Sequence, residues 1–222
     1  MSLILNIDTA MERASIYLAK NDIIFETAYS ENQKDHAAWL HLAIDGLLKK
    51  SQITVSEIKA VAVSIGPGSY TGLRVGLSAA KGLCYALNIP LITVNSLHML
   101  AYAVQKEATD LIVPVIDARR MEIYTAVYKR DLTEKTSAHT LIVEEGSFHS
   151  LLQSHKILFC GNAIDKLKKV IKNENASCSD TMSDAGTLAR MAKEMYLEKK
   201  FADLAYSEPL YVKESYFPAF KK

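Results

Sequence analysis

Two distant segments of this chain share one pattern. "LILNIDTAMERASIYLA" (3–19) and "LIVPVIDARRMEIYTAVY" (111–128) each open with an apolar run ending in Ile-Asp. Each then turns through a few polar residues and resumes as an alternating strand. The similarity extends downstream. After the first segment come a strand at 23–30 behind the turn Asn21-Asp22, a helix at 35–50, and a strand at 60–65. A glycine-rich loop, a helix from about Gly72 to Leu87, a strand at 89–95 and a helix at 96–108 complete the first unit. After the second segment come a strand at 140–145, a helix near 147–154, a strand at 156–161 and helices at 162–173 and 184–199. A chain that repeats a βββαβαβα order has few ways to fold, because each unit must build its own mixed sheet.

The fold class this implies is α/β, of the actin-like ATPase (ASKHA) type: duplicated units forming two lobes with a cleft between them. The expected lobes are 1–108 and a smaller 109–222, with the C-terminal tail returning to the first. In that architecture the turn after each first strand faces nucleotide phosphates. Asp8 and Thr9 occupy one such turn and Asp117 and Arg119 the other, with Gly66 and Gly68 in the glycine loop. These residues are the expected remnant of a nucleotide cleft. For either Asp alone, local capping of its own turn is the better explanation; the matched pair speaks for the fold, not for retained nucleotide binding.

Composition sets the partner classes. The 222 residues are 49% hydrophobic and 23% charged, enough to bury a real core. Twenty-six Lys and Arg against 25 Asp and Glu leave a formal charge of +1, without the basic surplus of a protein that grips nucleic acid alone. Cys84, Cys160 and Cys178 are odd in number and lack metal-ligand spacing, as expected of reduced thiols in a cytoplasmic protein. No run is long enough for a signal peptide or a membrane span.

The glycine loop, "SIGPGSYTGLRVGLSAAKGL" (64–83), fits no known phosphate grip. A Walker loop needs Lys and Ser or Thr after its last glycine, and Leu73 and Arg74 stand there instead. Gly66, Gly68 and Gly72 miss the dinucleotide spacing, and Ser69 is not flanked as a nucleophile elbow requires. Ser69 and Thr71 read as helix-start residues. His36 and His41 lie about 140° apart around a helix, and the other histidines show no chelating spacing. Neither a metal nor a cofactor is expected.

The two helices carry more information. His36, Leu40, Ala43 and Leu47 share a broad apolar face of the first, widened by Trp39. The second has Leu73, Leu77, Ala80 and Cys84 on one side and the small residues Val75, Ser78, Ala79, Gly82 and Ala86 on the other. Only Arg74 and Lys81 are charged, so this helix reads as covered on two sides. Glycine inside a helix costs about 1 kcal/mol against alanine. Gly72, Gly76 and Gly82 therefore suggest the close approach of another helix, from within the chain or from a partner.

The stretches "GPGSYTGLRVGLSAAKGL", "IPLITVNSL", "NIDTA" and "PVIDARRMEIY" resemble the bacterial TsaB (YeaZ) family of tRNA threonylcarbamoyladenosine biosynthesis proteins. The similarity is specific over 1–129, weak over 130–205 and moderate at "SEPLYVKESY". It implies a non-catalytic, activating subunit, paralogous to the catalytic TsaD-type transferase. That paralogue binds metal through an HxxxH pair, whose positions here are Ser96 and Leu100 in "TVNSLHML", with His98 between. It further implies docking on the TsaD-type partner through helices 35–50 and 70–87, a homodimer in isolation, a TsaE-type ATPase joining the complex, and only indirect contact with tRNA. The interface residues it implies are His36, Trp39, Leu40, Ala43, Leu47, Tyr70, Arg74, Val75, Ser78, Ala79, Gly82 and Ala86. Two alternatives are a nucleotide-dependent phosphotransferase using Asp8 and Asp117, and a peptidase, for which no nucleophile–base pair or zinc motif is seen. The tail "SEPLYVKESYFPAF", with Pro209, Tyr211 and Tyr216, is expected to fold back on the first lobe or to lie along a partner.

Overall fold

The structure, a computed structural model, describes residues 2–11, 13–30 and 36–213. The repeat is realised as two five-stranded sheets of the same topology. In the first, β1 (Leu3–Asp8), β2 (Ala14–Lys20) and β3 (Ile23–Ser30) form an antiparallel meander. Helix α1 (His36–Lys50) leads to β4 (Ala60–Gly66), and α2 (Tyr70–Leu87) leads to β5 (Leu91–Asn95); β4 and β5 add in parallel beside β1. The order is β3-β2-β1-β4-β5. Helix α3 (Ser96–Ala103) then passes to the second sheet. There β6 (Leu111–Asp117), β7 (Glu122–Lys129) and β8 (Glu134–Ile142) repeat the meander, followed by α4 (His149–Leu152), β9 (Ile157–Cys160), α5 (Ile164–Lys168) and β10 (Ala176–Ser179). Its order, β10-β9-β6-β7-β8, is that of the first sheet in mirror listing. Helix α6 (Ala185–Leu197) ends the regular structure. This is the actin-like arrangement the repeat implies.

Each sheet buries both faces, which is why β1 and β6 read as unbroken apolar runs. On one face of the first sheet, Leu5, Ile7 and Leu18 meet Leu40, Ile44 and Leu47 of α1 and Leu77 and Ala80 of α2. On the other, Ile4, Tyr17 and Ala62 meet Leu188 and Ala192 of α6. Helix α6 thus returns to the first sheet although it follows the second. Helix α3 bridges, with Met99 toward the first sheet and Leu97 and Leu100 against Ile112 and Ile116 of the second.

The structure corrects the sequence reading where residues are polar. The strand expected at 140–145 is Glu134–Ile142; "EKTSAH" lies on an exposed edge and hides the alternation. Strand β10, "ASCS", is also an edge strand and was missed for the same reason. Helix α2 begins at Tyr70 because Ser69 caps it, its Oγ accepting from the Gly72 amide at 3.3 Å. Asp35, expected to open α1, and Tyr216 of the tail lie outside the described residues.

Candidate functional site

The glycine loop is shaped by the end of β1. Gly66 closes β4 with φ +110°, and Gly161, at the matching place after β9, has φ +113°. Both are conformations that favour glycine, so the repeat extends to its turns. A Cβ on Gly72 would lie 2.1 Å from the Thr9 carbonyl oxygen, and one on Gly76 would lie 2.2 Å from Thr9 Oγ1. Both glycines let α2 approach its own sheet. Of the three α2 glycines, Gly82 alone meets nothing within 4 Å. Helix approach by a partner, read from all three, can therefore concern Gly82 alone.

Two amides of the loop and the start of α2 are bonded locally, and a third makes the first helical bond. Ser69 N donates to the Ala10 carbonyl at 2.7 Å, Gly72 N to Ser69 Oγ, and Leu73 N to the Ser69 carbonyl at 2.9 Å. Of these, the Ser69 and Gly72 amides are donors a phosphate at the helix N-terminus would use. Gly68 sits against Ala10, where a Cβ would come 2.3 Å from the carbonyl oxygen.

The two aspartates differ. Asp8 Oδ1 accepts from Ser64 Oγ at 2.7 Å and from the Ala10 amide at 3.1 Å. Burial raises its carboxyl above the ordinary value despite these donors. Thr9 points to the opposite face, fully buried under α2, and its Oγ1 finds no hydrogen-bond partner among the described residues. Asp117 is exposed at its turn. Desolvation tends to raise its carboxyl, but Lys166 Nζ at 2.8 Å and the Arg119 amide at 2.5 Å outweigh that and hold it below the usual value. The Asp117 amide donates to Asn162 Oδ1, and Asn162 Nδ2 lies 4.0 Å from Met11 Sδ, so the two turns approach each other across the sheets. The Ser69 and Gly72 amides and the Asp117 carboxylate are thus engaged within the chain rather than turned to a nucleotide.

At the positions of the paralogue's histidines, Ser96 and Leu100 are fully buried. His98 stacks on Tyr128 with ring centroids 5.4 Å apart, and burial lowers its pKa. Among the described residues no three His, Cys, Asp or Glu side chains gather as a metal-holding group.

Helices α1 and α2 lie side by side on the outer face of the first sheet. Of the expected interface residues, Leu40 and Leu47 are core, 0% and 3% exposed, and each stabilises the fold by about 2 kcal/mol. His36 is buried as well, its Nε2 without a partner among the described residues. Trp39, Ala43 and Val75 are half-buried, and Tyr70, Arg74, Ser78, Gly82 and Ala86 are exposed. Between the helices runs an open groove of about 480 Å³, lined by Arg74, Val75, Ser78, Ala79, Gly82 and Leu83 of α2 and by Ala37 and His41 of α1. Ala37 and His41 were not among the expected interface residues, because the sequence reading put weight on the apolar stripe that proves to be buried.

The C-terminal segment forms a strap over α2 that sequence reasoning left open. The Ala202 amide donates to the Leu91 carbonyl and the Leu210 amide to the Ile65 carbonyl, tying the strap to the first sheet. Lys81 Nζ donates to the Ala205 and Ser207 carbonyls at 3.0 and 3.1 Å. Arg74 Nε donates to the Tyr211 hydroxyl at 2.7 Å, with its guanidinium 4.0 Å from the Tyr70 ring centroid. Lys213 pairs with Glu122 of β7, so the strap also reaches the second sheet.

Comparison with known proteins places this geometry. A family model described as TsaD, tRNA N6-adenosine threonylcarbamoyltransferase, matches residues 22–215. The tRNA threonylcarbamoyladenosine biosynthesis protein TsaB of Bacillus subtilis is 31% identical over 77% of this chain and 75% of its own length. The TsaB of Escherichia coli is 28% identical over 96% of this chain and 95% of its own. A solved structure of YeaZ from Pseudomonas aeruginosa has the same fold, with a TM-score of 0.78 and 23% identity over 95% of this chain and 100% of that one. No helix among the described residues is long and apolar enough to cross a membrane. The duplicated topology, the capped glycine turn and these relatives together show that the chain belongs to the TsaB (YeaZ) family of the Gcp-like superfamily.

Proposed function

We propose that this chain acts in the biosynthesis of threonylcarbamoyladenosine in tRNA, as a non-catalytic subunit that docks on and activates a TsaD-type transferase through the α1–α2 face. The observation that carries the proposal is the asymmetry between the repeats. Helices α1 and α2 have 15 and 18 residues, while their counterparts α4 and α5 have 4 and 5. The extra length forms the walls of an open groove whose floor is alanine, serine and glycine. Small residues let a second helix approach closely, and a paralogue with the same fold offers a matching pair of helices. The names of the relatives supply the pathway, and the locally bonded Ser69 and Gly72 amides and the Asp117–Lys166 pair support a subunit without its own transfer chemistry. In the same proposal lobe 1–108 docks, lobe 109–222 returns its last residues to the first, and isolated copies pair weakly through the groove. A TsaE-type ATPase joins at the junction, and tRNA is held by the transferase.

The test is co-elution with the TsaD-type transferase of the same organism. Gly82→Leu, where an added Cβ meets nothing within 4 Å, and Ser78→Trp, at an exposed position, fill the groove from its surface, so the chain should fold while co-elution is lost. Co-elution of both variants at the unaltered affinity would refute this face.

A further inference from the structure

The lining of the groove is not neutral. Its ionisable members are Arg74 and His41, with no carboxylate among the lining residues. Arg74, though exposed, is also held on two sides by aromatic residues. The Tyr211 hydroxyl accepts from its Nε at 2.7 Å, the Tyr70 ring lies 4.0 Å from its guanidinium, and the two tyrosine rings stand 5.3 Å apart. Both neighbours are uncharged, so they fix the side chain without neutralising it. The guanidinium has five N–H donors and Tyr211 takes one, so the planar fork remains suited to a carboxylate. Fixing it beforehand lowers the conformational entropy lost when a partner binds.

We infer that Arg74, positioned by Tyr211 and Tyr70, is the specificity residue of the groove: it takes a carboxylate from the helix of a heterologous partner and selects that partner over a second copy of this chain. This rests on the docking function proposed above. The selectivity follows from charge. A second copy would bring the same α1 and α2, which together contain one carboxylate, Asp45. That group is already paired with Lys49 Nζ at 2.7 Å. Self-pairing therefore offers Arg74 a single helix carboxylate, and one that already has a lysine beside it, whereas an apolar helix bearing Asp or Glu near one end satisfies both the groove and its rim. Like charges across an interface suppress the wrong partner, and rim charges act chiefly on association rate and its salt dependence.

The experiment measures association with the same organism's TsaD-type transferase at about 50 and about 300 mM salt, across which surface charges become screened. Self-association of the chain is measured in parallel by sedimentation. Arg74→Gln should weaken transferase binding about tenfold at low salt, mostly through slower association, and should flatten the salt dependence. Self-association should stay the same or strengthen. Tyr211→Phe keeps the ring and loses the hydroxyl. It should weaken binding about threefold while leaving the salt dependence in place, a combination that mere loosening of the strap would not give. If Arg74→Gln binds the transferase as the unaltered chain does, or weakens self-association equally, the inference is overturned. Gly82→Leu separates the two ideas: its loss of binding with an unaffected Arg74→Gln keeps the docking face and removes Arg74, while unaltered binding by Gly82→Leu removes the face itself and this inference with it.

Discussion

Gly72→Ala and Gly82→Ala in α2 should change stability in opposite directions. Replacing a glycine by alanine inside a helix favours folding by up to about 1 kcal/mol, because the unfolded chain has less freedom to lose. At Gly82 nothing lies within 4 Å of the new methyl, so that gain should appear nearly whole. At Gly72 the methyl would stand 2.1 Å from the Thr9 carbonyl oxygen and 3.2 Å from its carbon. Relief to ordinary contact demands a shift of roughly 1 Å between α2 and the end of β1, and overpacking of this kind costs about 1–3 kcal/mol or more. The shift would pull Leu73 and Leu77, 2% and 3% exposed, out of register with the sheet. Net, Gly72→Ala should lose about 2 kcal/mol and Gly82→Ala should gain up to about 1 kcal/mol. Urea unfolding followed by circular dichroism reads both as shifts of the midpoint at constant slope. A Gly72→Ala chain as stable as the unaltered one would refute the claim that this glycine serves the approach of α2 to its own sheet.

Three further outcomes are expected. Burial pushes the Cys84 thiol up to about 11 and the Cys160 thiol up to about 12, so in the native chain at pH 8 only the exposed Cys178 should react readily with a thiol reagent, and all three after unfolding. Asp8 has a folded pKa raised by burial, so its protonated form favours the native state; that contribution is full below the ordinary value near 3.8 and is lost as pH rises through the folded pKa. Asp8→Asn should therefore gain stability relative to the unaltered chain between pH 4 and 7 and match it near pH 3, measured by thermal unfolding across pH. Lys81→Met removes the donor to the Ala205 and Ser207 carbonyls, and hydrogen exchange at 203–210 should accelerate while the sheet amides stay protected.

Much of the architecture was legible because the repeat doubles every signal. Two apolar strands ending in Ile-Asp fixed β1 and β6, and the meanders followed from alternation in "ASIYLA" and "EIYTAVYK". Strand β10 carried no such signal: four small residues at a sheet edge need neither apolar side chains nor alternation. The cap at Ser69 was legible from residue type, since a short hydroxyl before a helix has one common use. The helix glycines were not, because a sequence cannot say whether the neighbour of Gly76 is Thr9 of the same chain or a residue of another. The contacts of the strap were invisible for a related reason. Its contacts, Tyr211 to Arg74 and Lys81 to Ala205 and Ser207, join distant parts of the chain and leave no periodicity behind.

The central claim is that this chain raises the activity of a partner rather than performing chemistry itself. Its most direct test is reconstituted threonylcarbamoylation of tRNA by the same organism's TsaD-type transferase, supplied with the threonylcarbamoyl donor, with this chain present, absent, or carrying Gly82→Leu. Strong modification with the chain, little without it and little with Gly82→Leu is the expected result. Equal modification in all three reactions would contradict the account.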